Sequence, residues 1–392
     1  MRKLLALILL ALAAPVVFAG NSRVLHLRGN LDNSLAAMSV EKKATVAFFG
    51  GSITEMTGWK EMIMTDLKNR FPQTDFEFIS AGIASLGSTP HAFRFEEDVL
   101  GKGVPDLLFV EAAVNDHTNG FGPQEQVLGM EGIVRHALTV NPFMDIVFLH
   151  FIYDPFIPML DAGEIPDVIL NHERVANHYH LNSIDLAQEV AQRMRDGEFN
   201  WKTFGGTHPA PFGHKIYAAA IAELFDKYMK DPAAYVRAPH ALPEEKLERN
   251  CYGNGRLLAP SAASGTRGFR LVNDWVPPGK AGTRKQYVHV PTLVCEKGGS
   301  LVLEFEGTAI GLYCTCGPNA GILSYTIDGK EFPHLDTYTR WSKNLHIPWM
   351  HMLATDLAPG QHTLRLKVLK GARSGCFIRN FAVNGPSGQQ LR

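Results

Sequence analysis

The 392-residue sequence has no excess of either charge, with 38 Lys and Arg against 39 Asp and Glu. A polyanion is held through a surplus of basic residues, so nucleic acid is disfavoured as a partner. Long apolar runs are also missing. The longest is the N-terminal stretch from Leu4 to Val17, which is shorter than the roughly 20 residues a bilayer-spanning helix needs. Cysteine is sparse: residues 251, 295, 314, 316 and 376 make an odd set of 5, so disulfides cannot pair them all. Cys314 and Cys316 flank a single residue of an expected strand and would share a face, an awkward geometry for bridging each other. No His/Cys cluster with ligand spacing accompanies them, nor is there an HExxH, a Walker loop or a GxGxxG motif. Internal repeats and low-complexity tracts are absent as well.

What is present suits a globular chain. Hydrophobic residues make up 45% and charged residues 20%, fractions that fit neither a disordered, a collagen-like nor a coiled-coil protein. At about 150 residues per domain, the length suggests two or three domains. Residues 1–19 read as a secretory signal: Arg2 and Lys3 form a basic n-region, an apolar h-region follows, and Val17-Phe18-Ala19 offers a cleavage site. The expected mature chain is soluble, slightly acidic, and secreted or periplasmic, with no membrane partner.

Two textures follow. Between residues 20 and 230, continuous apolar runs (ATVAFFGG, DFEFISAG, LLFV, MDIVFLHFI) alternate with amphipathic stretches such as GWKEMIMTDLKNRF and GHKIYAAAIAELFDKYM. That pattern predicts parallel strands with crossover helices in a three-layer α/β/α sandwich. From 260 to 392, short alternating runs separated by turns predict a β-sandwich of jelly-roll kind, with Asp328-Gly329 as a hairpin turn. Residues 231–259 are Pro-rich and charged, and read as a linker that packs over one domain's surface.

Chemistry points to the strand ends of the first region. Ser52 follows the first apolar run in Gly50-Gly51-Ser52-Ile53-Thr54, at the sheet edge where open α/β folds bind ligands. There it either presents its hydroxyl and backbone N–H to a substrate carbonyl or caps the next helix. Thr54 breaks the G-x-S-x-G elbow of ordinary α/β-hydrolases. Gly82, Asn115 and His208 end or precede elements in the same manner. The four loops thus supply the nucleophile, base and oxyanion donors that acyl transfer needs.

In order, GGSIT, the Gly of SAG, the Asn of VND and the His of THP match the four blocks of the SGNH (GDSL-type) hydrolases over about residues 44–228. The stretch RFEEDVLGKGVPDLLFVEAAVND resembles the secreted carbohydrate-esterase branch of that superfamily. The resemblance implies Ser52 as nucleophile, His208 as general base, and an oxyanion hole from the N–H groups of Ser52 and Gly82 with the Asn115 amide. It requires no cofactor and no metal. Members usually carry an Asp three residues before the His, and here that residue is Gly205. Three readings stay open: the carbonyl of Gly205 or a neighbour orients the His, Asp154 or Asp185 reaches in, or the chain has become a binder.

Flanking residues are further candidates for the acyl or sugar pocket. Glu55, Trp59, Arg94 and Asp116 line it or serve capping and packing, while His214 belongs to the start of the last helix. His178 and His180 form a possible metal pair without a third ligand. In the second region Trp275, Tyr338, Trp341 and Trp349 either stack on sugar rings or pack the core. The stretch from Tyr338 to Trp349 is the candidate platform or lid. The expected activity is removal of small acyl groups, acetyl first, from a glycan. A lipase or lysophospholipase, a weakened glycan-binding protein and a metal-dependent hydrolase are the rivals.

Overall fold

The structure, a computed structural model, describes residues 24–386; the expected signal segment lies outside the described residues. Strands β1 (Leu25–His26), β2 (Lys43–Gly50), β3 (Asp75–Gly82), β4 (Leu107–Val110), β5 (Asp145–Leu149) and β6 (Asn182–Ile184) form a sheet in the order β1-β6-β5-β4-β2-β3. β2 to β6 run parallel, and β1 closes one edge antiparallel to β6. The four quoted apolar runs become β2 to β5. β1 and β6, with 2 and 3 residues, are too short to leave a periodic signal.

Helices α1 (Asp32–Ala36), α2 (Ser52–Glu55), α3 (Trp59–Arg70), α4 (Ser88–Asp98), α5 (Ala113–Asn119), α6 (Pro123–Val140), α7 (Ile157–Asp161), α8 (Asp167–His178), α9 (Leu186–Arg195), α10 (Trp201–Phe204) and α11 (Pro211–Tyr228) surround this sheet. Successive strand residues point to opposite faces, so a strand covered on both sides must be apolar throughout. Val46 and Phe48 accordingly join a core with Ile63 and Leu67 of α3 and Ile221 and Leu224 of α11. Ala47 and Phe49 join the opposite core with Phe93 and Phe95 of α4 and Ile133 of α6. Each fully buried Phe stabilises the fold by about 2 kcal/mol through apolar area removed from water.

The chain leaves β2 for β3 on one side and returns to β4 on the other. The end of β2 is therefore the switch point at which an open α/β sheet leaves a crevice. Ser52 stands two residues beyond that end.

The second region holds strands β7 (Gly255–Leu258), β8 (Ser264–Trp275), β9 (Gly282–Thr283), β10 (Val290–Glu306), β11 (Ala309–Cys316), β12 (Ile322–Ile327), β13 (Lys330–Glu331), β14 (Leu335–Asp336), β15 (Leu345–Ala354), β16 (Gln361–Val368) and β17 (Cys376–Asn384). The path β13-β12-β16-β10-β17-β11-β15-β9, with β14, β7 and β8 attached, wraps around a core of Leu303, Phe305, Leu312, Leu364 and Phe381 as a β-sandwich. Asp328 (φ 52°) and Gly329 (φ 81°) join β12 to β13, both in the left-handed region that a type I′ turn demands. All five cysteines are free and buried.

The sandwich begins earlier than residue 260, since β7 already pairs with β17. The preceding segment is pressed onto α6, where the Glu131 carboxylate accepts the N–H groups of Leu247 and Glu248 and Tyr252 is fully buried. The Phe49 core continues through Tyr252 into Tyr287, Tyr313, Met350 and Ala382, so apolar packing joins the two sheets.

Candidate active site

Ser52 opens α2 directly after the Gly50-Gly51 end of β2, and His208 lies in the turn between α10 and α11. The fold brings them together across 156 residues: His208 Nε2 is 2.8 Å from Ser52 Oγ. Ser52 is partly buried and His208 exposed, so the pair opens to solvent. Partial desolvation of the ring where it packs in the turn, with the Arg284 guanidinium nearby, holds the His208 pKa below its ordinary value of 6.5. The ring is thereby kept neutral and able to accept a proton near neutral pH.

None of the expected orienting groups meets His208. Among the described residues, the His208 ring hydrogen bonds to Ser52 alone, and the Gly205 carbonyl is not its partner. Asp185 is occupied as the N-cap of α9, accepting the Gln188 N–H at 2.9 Å. Asp154 sits exposed in a short 3-10 turn. Gly205 itself caps α10 at φ 104°, in a turn closed by the Ala210 N–H on the Phe204 carbonyl at 2.6 Å.

Gly82 ends β3 and Asn115 stands in the first turn of α5, just beyond β4. Because β3, β2 and β4 are neighbours, these residues flank the Ser52 turn from either side. The Asn115 side chain lies directly against Gly51 and hydrogen bonds to no protein group among the described residues. The arrangement gathers a hydroxyl, a neutral imidazole and amide donors at one sheet edge.

Three of the pocket candidates are corrected by burial. Trp59 is wholly inside the core, edge-on to Phe48 and Phe109, and cannot meet a ligand. Arg94 is buried and donates to the carbonyls of Gly50 (3.1 Å) and Ala81 (2.7 Å), so it fastens the ends of β2 and β3 rather than touching substrate. Asp116 is also buried; it accepts the Ser88 N–H of α4 at 2.7 Å and pairs with His172 of α8. Trp341 stays available, 39% exposed with Arg340 over its ring.

The remaining sequence candidates find structural roles. His214 accepts the Trp59 N–H at 3.3 Å, and His178 contacts the Glu245 carbonyl. Trp275 packs on Phe377, and Trp349 lies on β15 against the sandwich core. Tyr338 lies under Arg373. The expected loop from Tyr338 to Trp349 is thus cut short, because β15 starts at Leu345. Among the described residues no group of three His, Cys, Asp or Glu side chains is arranged to hold a metal, and no helix is long and apolar enough to cross a membrane.

Sequence reasoning missed the support beneath the site. Glu111 is buried under the Ser52 turn, where its Oε1 accepts the Gly51 N–H at 2.5 Å and the Thr54 hydroxyl at 2.8 Å. The signal was visible as an acid inside the apolar run LLFVEAAV. The second region also reaches the site. Arg284 donates to Ser85 Oγ at 2.9 Å, and Gln286 donates to Glu55, whose other oxygen accepts the Ala84 N–H at 2.9 Å. Arg340 donates to the Thr118 carbonyl on α5. Residues 85 and 284 are too far apart in sequence for any motif to announce such contacts.

Residues 48–216 match the GDSL-like Lipase/Acylhydrolase family. This stretch is a GDSL-type hydrolase domain. Its family is one of carboxylic-ester hydrolases, and the region matched holds Ser52, Gly82, Asn115 and His208. No curated protein matches this chain by sequence. The GDSL-type domain and its sandwich together share their fold with a two-domain esterase (CEX) active on acetylated mannans. The form co-crystallised with mannopentaose aligns at TM-score 0.71 and 21% identity, over 94% of this chain and 98% of that one. A second structure of that esterase gives TM-score 0.68 and 21% identity, covering 91% and 94%.

Proposed function

We propose that this GDSL-type hydrolase is an acetylesterase acting on a polysaccharide or oligosaccharide, with Ser52 as nucleophile and His208 as base. The observation that carries the reading is the 2.8 Å hydrogen bond between their side chains at the switch point of the sheet. His208 Nε2 takes the hydroxyl proton as Ser52 Oγ attacks the ester carbonyl. The N–H groups of Ser52 and Gly82 and the Asn115 amide receive the developing oxyanion. The imidazolium then protonates the departing sugar oxygen, and water releases acetate from the acyl-enzyme by the same steps in reverse. With no carboxylate at His208 Nδ1, water stabilises the imidazolium less well. In a serine protease, replacing that carboxylate costs a factor of about 10⁴ in kcat, so a modest turnover is expected. The glycan class is supported by the two-domain fold shared with the acetylated-mannan esterase. Exposed Trp341, next to the Arg340 that reaches α5, gives a sugar ring an apolar face to stack on.

The test is hydrolysis of p-nitrophenyl acetate and acetate release from a panel of acetylated polysaccharides. Ser52→Ala should abolish both with the fold intact, and retained turnover refutes the assignment. Preference for octanoyl over acetyl esters would move the reading to a lipase. Export is part of the same proposal, resting on the signal-like residues 1–19; a secreted chain whose N-terminus begins at Gly20 is the expected result.

A further inference from the structure

Away from the Ser52 cleft, the sandwich carries a groove of roughly 840 Å³ that shares no residue with the candidate active site. Strand register builds it. One cross-strand row runs Arg267 of β8, Ser300 of β10, Lys367 of β16 and Ser324 of β12; the next places Arg365 of β16 between Val302 of β10 and Thr326 of β12. Residues two apart on a strand share a face, so Arg365 and Lys367 project together, about 6.7 Å apart along β16. Arg267 stands two strands over, about 9.6 Å from Lys367 across the sheet. Among the described residues none of these three cations forms an ion pair, whereas Arg28, Arg70, Arg94, Arg193 and Arg373 each do. A single carboxylate, Glu331, lines the groove, at its rim opposite Thr326.

Gly265 (φ 54°) and Gly268 (φ 71°) bracket Arg267 in left-handed conformations and bend β8, which turns a flat sheet face into a trough. Phe332 forms one wall, stacked on Tyr325 at 5.3 Å. Side by side, unpaired cations repel one another, and an anion laid along the trough relieves that repulsion. The hydroxyl of Ser300 between Arg267 and Lys367, with those of Ser324 and Thr326 beside Lys367 and Arg365 on β12, offers neutral hydrogen bonds, and the Phe332 wall offers apolar contact.

We propose that this groove binds an acidic polysaccharide, a chain of sugars bearing carboxylate or sulfate groups. Three exposed cations in two adjacent rows suit a ligand whose acid groups repeat along its length. The neighbouring hydroxyls and aromatic wall suit sugar rings rather than a bare phosphate backbone. The groove is a site for holding substrate-bearing material, distinct from the place where an ester is cleaved.

The test is affinity electrophoresis of the full chain through gels containing polygalacturonate, alginate, dextran sulfate or neutral galactomannan, alongside a shift assay with double-stranded DNA. Retardation by an acidic polysaccharide and not by galactomannan is expected, weakening as salt rises. Retardation by carboxylated gels alone, sulfated gels alone or both supports the proposal and identifies the acid group. Arg365→Ala combined with Lys367→Ala should weaken binding about tenfold or more while leaving p-nitrophenyl acetate turnover unchanged. Equal retardation by galactomannan, no retardation in any gel, undiminished binding by the double variant, or equally tight binding of DNA each overturns it. Esterase turnover is read separately, so loss of the catalytic reading and loss of this one are distinguishable.

Discussion

Glu111 is a carboxylate enclosed directly beneath the Ser52 turn, and its titration bears on stability. Burial raises its pKa from 4.5 to about 7, with Asp116 adding to the rise, while the bonds from Thr54 and Gly51 and the charge of Arg94 oppose it. Below pH 4.5 the group is protonated whether the chain is folded or not. Between 4.5 and 7 the unfolded chain ionises it while the folded chain keeps the proton, so stability falls as pH rises through that window. By pH 8 the loss is nearly complete, on the order of 3 kcal/mol. Glu111→Gln removes this dependence. The variant's stability relative to the wild type should therefore rise between pH 5 and pH 8 in urea denaturation at each pH. A difference that is the same at both pH values would show that Glu111 does not titrate in this window. Arg94 and Asp116 teach the same lesson at the level of single side chains. Both flank the motif blocks in sequence, and only the fold reveals that one binds strand carbonyls from within and the other ties α5 to α4 and α8.

Among the elements, the α10–α11 turn departs most from expectation. An acid at position 205 is excluded by geometry as well as by the sequence. Gly205 has φ 104°, and a Cβ there would stand 2.5 Å from the Ala210 nitrogen and 2.9 Å from the His208 carbonyl oxygen. Gly205→Asp is therefore expected to lower stability by about 1–3 kcal/mol and to leave esterase turnover no higher, measured by thermal melting and p-nitrophenyl acetate hydrolysis. A raised kcat would mean that the turn rebuilds itself around the carboxylate. The long elements were legible beforehand because burial writes itself into their composition: Phe48 and Phe49 must both be apolar when helices cover both faces of β2. The motif blocks were legible because they sit at the ends of those strands. The turn at Gly205 was not, since positive φ and a closed 2.6 Å bond depend on three-dimensional neighbours. The short edge strand β1, held by pairing rather than pattern, escaped for the same reason.

For the whole molecule, the sandwich reaches the edge of the candidate active site. The core that contains Phe49 continues into Tyr287 and Tyr313, and the segment before β10 carries Arg284 to Ser85 and Gln286 to Glu55. Alternation and turn signals recover each sheet separately, whereas a contact between residues 85 and 284 leaves no trace in a single sequence. That contact has a chemical consequence. In the proposed mechanism His208 must be neutral to take the Ser52 proton, and partial burial together with the Arg284 charge lowers its pKa. Activity should therefore fall as acid protonates the ring, along a limb below pH 6.5. Arg284→Gln removes the cation while burial remains, so imidazolium becomes easier to form and the limb moves to higher pH. At pH 6 the variant should lose a larger fraction of its activity than at pH 8, read from kcat/KM for p-nitrophenyl acetate across the range. Arg340→Gln is the control, because Arg340 binds the Thr118 carbonyl and is not among the charges acting on His208. An acid limb that shifts equally in both variants, or in neither, would separate the sandwich from the proton chemistry of the site.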